Sequence, residues 1–212
     1  MVRACCTAKL FAVSCRKYFL VNSENIKIES LKRVVVVGTS CSGKTTLAKN
    51  LAHALGVKHI ELDSIHWLPD WVERPNDEFR NLVEKEVAAD LWVLDGNYSK
   101  TRDIVWTRAT AIIWLNYSFP LVAYRAIHRT TRRIFTRETL YSQNRETFKK
   151  AFLSKDSILL WVLTTFHRRR RDYPLLLQEV SGSEVKVFVF QNPKKTKEFL
   201  KRIHQINKTV KN

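Results

Sequence analysis

Gly38-Thr39-Ser40-Cys41-Ser42-Gly43-Lys44-Thr45 is the segment whose residue types and spacing most directly specify chemistry. It fits the pattern G-x-x-x-x-G-K-[ST], in which the glycines let the backbone curl until successive N–H groups point at phosphate oxygens. The expected nucleotide contacts are Gly38, Ser40, Cys41, Ser42, Gly43, Lys44, Thr45 and Thr46. In this pattern Lys44 bridges the β- and γ-phosphates of ATP, and the Thr45 hydroxyl ligates Mg2+. Cys41 has two readings, a redox-sensitive thiol near a helix N-terminus or a residue that lends only its backbone amide; the second is preferred. A glycine turn with an exposed lysine is the bland alternative, and it leaves unexplained why the segment joins an apolar strand to a helix.

Acids at strand ends come next, because open α/β sheets bind ligands beyond the carboxyl ends of their strands. Asp95 follows the apolar run Leu91-Trp92-Val93-Leu94, which puts a carboxylate beside the metal site with Thr45. Asp63, closing Glu61-Leu62-Asp63, faces the acceptor, where it takes the proton of an attacking hydroxyl or holds the acceptor by hydrogen bonds; an Asx turn is its structural alternative. His66 either joins that site or serves the fold. Trp67 and Trp71 either stack on a ring or pack their loop onto the sheet.

Arg125, Arg129, Arg132 and Arg133 share one face of a helix at i, i+4, i+7 and i+8. Clustered guanidiniums repel one another unless anions bind them, so Arg129 and Arg133 are candidate catalytic groups that close over the γ-phosphate; a solvated basic face is the alternative. Arg168 to Arg171 are expected in the last turn of a later helix, favoured there by its dipole. Arg102 is a weaker candidate for a contact to an acceptor phosphate.

The elements that position these groups follow from periodicity. Val34 to Val37 is a β-branched run of the kind buried on both faces of a sheet. Leu47, Leu51 and Leu55 recur every four residues until Gly56, a helix with a glycine C-cap. Val57 to Leu62 reads as the second strand, which completes a right-handed βαβ unit with parallel strands. After an aromatic loop from Trp67 to Pro75, Asn76 is the expected N-cap of a helix carrying Phe79, Leu82, Val83 and Val87 on one face. Strands are expected at Leu91 to Leu94, Ala111 to Leu115 and Val185 to Phe190. Long helices are expected from Pro120 to about Arg137, along the stripe Phe148, Phe152, Leu159, Leu163 and Phe166, and from Lys195 to Ile206. The whole is an α/β three-layer fold with a parallel five-stranded sheet and helices on both faces. It occupies residues 32–212, behind an N-terminal extension at residues 1–31.

At 212 residues and 45% hydrophobic content the chain suits one well-buried domain, and no apolar run approaches the ~20 residues that cross a bilayer. The excess of 37 Lys and Arg over 20 Asp and Glu, +17, favours polyanionic partners. Cys5, Cys6, Cys15 and Cys41 form neither a disulfide framework nor a zinc site, which suits a reducing, cytoplasmic setting. The acid-free start, with Arg3, Lys9, Arg16 and Lys17 before Glu24, leaves open an organelle transit segment, a plain disordered extension or an artefact of the assigned start.

Gly38 to Thr46, Leu62-Asp63-x-x-His66-Trp67-x-Pro69-x-Trp71, Val93-Leu94-Asp95-Gly96-Asn97-Tyr98-Ser99 and Ile112-Ile113-Trp114-Leu115 occur in that order. Together they resemble the small P-loop proteins labelled adenylate-kinase-related or DNA-topology-modulation proteins, over about Lys32 to Leu200. The resemblance implies the nucleoside-kinase type of P-loop NTPase fold with sheet order 2-3-1-4-5, and a short basic lid near residues 125–150 without zinc-binding cysteines. Adenylate kinases follow their Asp-Gly with Phe-Pro-Arg to grip AMP; Asn97-Tyr98-Ser99 departs from that and argues against AMP. The expectation is therefore a P-loop phosphotransferase that moves the γ-phosphoryl group of Mg-ATP to a small acceptor. A nucleic-acid-associated ATPase or regulator of DNA topology is the alternative, and a kinase of nucleic-acid 5′ ends ranks third. Without N-K-x-D after a strand, ATP is preferred to GTP.

Overall fold

The computed structural model describes residues 28–136, 141–143, 158–181 and 184–211. Five parallel strands form one sheet: β1 (Arg33–Gly38), β2 (Lys58–Glu61), β3 (Trp92–Asp95), β4 (Ala111–Leu115) and β5 (Lys186–Phe190). Their order is β2-β3-β1-β4-β5, as the resemblance implied. Val34 pairs with Val93 on one side and Ala111 on the other, which brings the carboxyl ends of β1, β3 and β4 into line.

The helices are α1 (Lys44–Leu55), α2 (Leu62–His66), α3 (Asn76–Val87), α4 (Arg102–Arg108), α5 (Phe119–Thr136), α6 (Ile158–Ser181) and α7 (Pro193–Lys211). Alternate strand residues face opposite layers. Val34, Val36, Val93, Ile113 and Phe188 meet Leu47 and Leu51 of α1 and Phe199 and Ile203 of α7. Val35, Val37, Leu94 and Ile112 meet Phe79, Val83 and Val87 of α3, Val105 and Trp106 of α4, and Tyr173 and Leu177 of α6. Leu31, ahead of β1, is buried in the first of these layers.

Four local expectations are corrected. The second strand stops at Glu61, and Asp63 lies in the first turn of α2, where the Ser64 hydroxyl returns to the Glu61 carbonyl at 2.7 Å. Asn76 is the first helical residue, not the cap: Pro75 precedes it with φ −49° and its carbonyl takes the Phe79 N–H at 2.9 Å. Helix α7 starts at Pro193, with the Asn192 side chain accepting the Lys194 N–H at 2.8 Å. Helix α6 does not end at Arg171; it runs through Pro174 to Ser181. Its buried stripe is Val162, Phe166, Tyr173 and Leu177, while Leu163 is exposed. Packing of Tyr173 and Leu177 on the sheet carries the helix past the proline, so Arg168 to Arg171 lie mid-helix.

Residues 1–27 lie outside the described residues, so the transit-segment reading and Cys5, Cys6 and Cys15 do too. So do residues 137–140 and 144–150 of the expected lid, and Phe148 and Phe152 of the apolar stripe expected in the following helix. The first part of that lid, Arg125 to Thr136, belongs to α5, and Tyr141–Gln143 forms a 3-10 turn. Among the described residues no helix is long and apolar enough to cross a membrane.

Candidate active site

The loop from β1 to α1 is built on a close approach of main chains. Gly38 has φ +152°, and a Cβ there would stand 2.8 Å from the Leu115 carbonyl oxygen and 2.9 Å from Ser42 Oγ. Only glycine lets β1 turn into the loop beside β4. The Ser42 N–H closes the loop on the Thr39 carbonyl at 3.1 Å. Cys41 turns with φ 65° and is buried in the core layer under α1, and Thr46 is exposed on the first turn of that helix. Asn97 clamps the loop's origin: its Oδ1 accepts the Gly38 N–H at 3.2 Å and the Tyr173 hydroxyl at 2.9 Å, and its amide donates to the Gly38 carbonyl.

Lys44 folds back so that its ammonium donates to the Thr39 carbonyl at 3.2 Å. Burial pushes it down to about 8, with the positive charges of Arg169 and Arg129 adding to the fall and Asp63 and Asp95 opposing it. Thr45 and Asp95 meet as the sequence suggests, the Thr45 hydroxyl donating to Asp95 Oδ2 at 2.6 Å. Asp95 is 2% exposed, and its other oxygen, Oδ1, lies 2.7 Å from His59 Nε2.

Asp63 accepts the Tyr98 hydroxyl at 2.7 Å, and burial together with the Asp63 charge raises that phenol. One step away, the Tyr141 hydroxyl donates to Glu61 Oε1 at 2.5 Å and the Ser142 hydroxyl to the Trp67 carbonyl at 2.6 Å. The turn following α5 is thereby pinned across the mouth of the aromatic loop. Burial holds the Glu61 carboxyl above its ordinary range. His66 is buried among Trp67, Phe79 and Tyr98, and burial lowers its proton affinity; Trp67 in turn is set edge-on to Trp71 at 5.6 Å.

Of the four α5 arginines, Arg125, Arg129 and Arg133 are half-buried and Arg132 is exposed. Arg125 donates to the Ser42 carbonyl at 2.8 Å and lies over the Tyr117 ring, so it braces the loop between β1 and α1. The Arg102 guanidinium lies over the Trp106 ring, 5.3 Å from its centroid. Sequence reasoning missed Arg169, which lies on the inward side of α6 between Phe166 and Tyr173. Burial, its foremost cause, lowers its proton affinity, and among its neighbours Asp63 and Tyr98 act to raise it. The signal was available: position 169 falls on the 162, 166, 173, 177 stripe, where an arginine is costly unless it has work to do. His59, Asn97, Tyr98 and Tyr141 were missed as well, because each depends on a neighbour distant in sequence.

The set fits a magnesium-bound triphosphate. A hydroxyl and a carboxylate are hard oxygen donors suited to Mg2+. Ser42 Oγ, Arg129 Nε and Arg169 Nη1 are buried without a hydrogen-bond partner among the described residues, as donors awaiting an anion are.

No protein-family model matches the sequence, and no characterised protein matches it. Solved structures do. A shikimate kinase from Bacteroides thetaiotaomicron aligns with TM-score 0.50 and 12% identity over 82% of this chain and 97% of its own. A gluconokinase from Sinorhizobium meliloti 1021 aligns with TM-score 0.48 and 20% identity, over 85% and 95% respectively. A shikimate kinase from Acinetobacter baumannii in complex with shikimate gives TM-score 0.48 and 17% identity over 87% and 97%. At 12% identity the first of these likenesses establishes a shared fold, the parallel five-stranded sheet with helices on both faces, and nothing finer.

Proposed function

We propose that this chain is an ATP-dependent phosphotransferase that passes the γ-phosphoryl group to a hydroxyl of a small acceptor. One observation carries the reading most: Ser42 Oγ, Arg129 Nε and Arg169 Nη1 are buried without a hydrogen-bond partner among the described residues, and Arg129 and Arg169 lie close enough to the buried Lys44 ammonium to add to the lowering that burial itself causes. Asp63 and Asp95 offset part of this positive charge, and a bound polyanion would offset the rest. A triphosphate tail supplies that charge, and the likeness to shikimate kinase in fold supports the choice.

In this reading the loop amides and Lys44 hold the β- and γ-phosphates, while Thr45 and Asp95 would hold Mg2+, which when bound neutralises charge on the phosphates. Arg129, Arg133 and Arg169 stabilise the charge that gathers on the transferring group, an effect worth several kcal/mol in such sites. Asp63 takes the acceptor's proton, and the Tyr98 hydroxyl orients its carboxylate. The wall of His66, Trp67 and Phe79 limits the acceptor to a small molecule. The adenylate-kinase-related family is the relationship the motifs favour, with a hydroxyl acceptor in place of AMP.

The test is a screen of purified protein with Mg-ATP against nucleosides, nucleotides, sugars and small alcohols, with and without DNA, detecting phosphorylated product. Lys44→Ala is expected to abolish transfer with the fold intact by circular dichroism. Full activity in that variant, or turnover seen only when DNA is added, would overturn the proposal.

A further inference from the structure

Asp95 ends β3 with one carboxylate oxygen on Thr45 and the other on a histidine from the neighbouring strand. His59 and Glu61 alternate along β2, and Glu61 pairs in register with Asp95, so the imidazole sits one position back on the same face. An ionised carboxylate only accepts hydrogen bonds, so His59 Nε2 carries the hydrogen that Asp95 Oδ1 receives. The second torsion of an aspartate side chain is broad and nearly two-fold. Without a donor at Oδ1 the carboxylate could swing away from Thr45, and a buried oxygen would lack a partner.

We infer that His59 is a positioning residue for the metal-binding carboxylate: its Nε2–H locks Asp95 with Oδ2 turned toward Thr45, the orientation in which a hydroxyl and a carboxylate share one divalent cation. It touches neither nucleotide nor acceptor and acts through Asp95. Residues that hydrogen-bond a ligating carboxylate commonly govern metal affinity by about 10–100-fold. The assignment rests on the phosphotransferase reading above but makes a separate demand, that the metal-dependent part of nucleotide binding runs through β2.

The experiment is binding of a fluorescent ATP analogue to the full chain, first in EDTA and then across a MgCl2 titration. His59→Ala is expected to leave metal-free affinity within about twofold of wild type and to raise the Mg2+ concentration at half-saturation by about 10–100-fold. His59→Gln, whose side-chain amide also ends in an N–H at the ε position, is expected to recover most of that loss. His59→Leu, which fills the space without donating, is expected to behave as His59→Ala does. An unchanged Mg2+ midpoint in His59→Ala overturns the assignment, as does rescue by Leu equal to rescue by Gln, or equal loss of binding with and without metal. A wild-type protein whose nucleotide binding gains nothing from Mg2+ would remove the phosphotransferase reading and this one together, an outcome visible before any variant is made.

Discussion

If the loop around Lys44 binds a triphosphate as proposed, binding there is coupled to a proton. In the free protein the Lys44 ammonium titrates near 8, against an ordinary 10.5, because burial and the charges of Arg169 and Arg129 disfavour the cation. A bound triphosphate reverses that balance and returns the group toward its ordinary range. At pH 9 the free protein carries about 0.1 proton on Lys44 and the complex nearly a full one, so binding takes up about 0.9 proton; at pH 7 uptake at this group falls to about 0.1 or less. Affinity is correspondingly expected to weaken about tenfold between pH 7 and pH 9, or about 1.4 kcal/mol. Calorimetry of ATP-analogue binding at pH 9 in buffers of different ionisation enthalpy reads the uptake directly, since the nucleotide phosphates are already ionised there. Lys44→Met removes the uptake. The same linkage fixes a stability signature. Below pH 8 the group is charged both folded and unfolded, and its burial costs stability in full. Between about pH 8 and 10.5 the folded protein alone has shed the proton, and the penalty is relieved as pH rises. Lys44→Met is therefore expected to stabilise the free protein at pH 7, by up to about 3 kcal/mol in urea unfolding. Proton uptake near zero at pH 9 in the wild type, or equal uptake in wild type and Lys44→Met, would refute the reasoning.

Three further outcomes are expected. Arg169→Ala should lower kcat by about 10²–10³, and since Arg169 depresses Lys44, it should also shrink the proton uptake measured at pH 9. Asp63→Asn should cut transfer by about 10²–10⁴ with ATP affinity unchanged, while Tyr98→Phe, which removes one hydrogen bond to the same carboxylate, should cost only about 0.5–1.5 kcal/mol in transition-state energy; steady-state kinetics separate the two. Gly96→Ala should destabilise the fold by about 1–3 kcal/mol in urea unfolding, because Gly96 sits at φ +149° and a Cβ there would lie 2.7 Å from Leu62 Cβ.

Local chemistry wrote most of the architecture into the chain. The valines of β1, the every-fourth leucines of α1 and the acids of the first turn of α3 each act over a few residues, so their periodicity reveals the element directly. The glycine loop after β1 was legible for the same reason: its turn is set within one contiguous segment, and the pairing of Thr45 with Asp95 follows once β1 and β3 are known to be neighbours. Tertiary packing decided the rest. Helix α6 overrides Pro174 because Tyr173 and Leu177 gain more from the sheet than the proline costs, and that turns Arg169 inward where sequence alone placed it in a solvated helix end. His59 on Asp95, Asn97 between Gly38 and Tyr173, and Tyr141 on Glu61 join residues 36 to 80 positions apart. Such contacts leave no period in the sequence, because hydrogen bonds between distant segments are set by sheet register and helix packing, which exist only once the chain has folded.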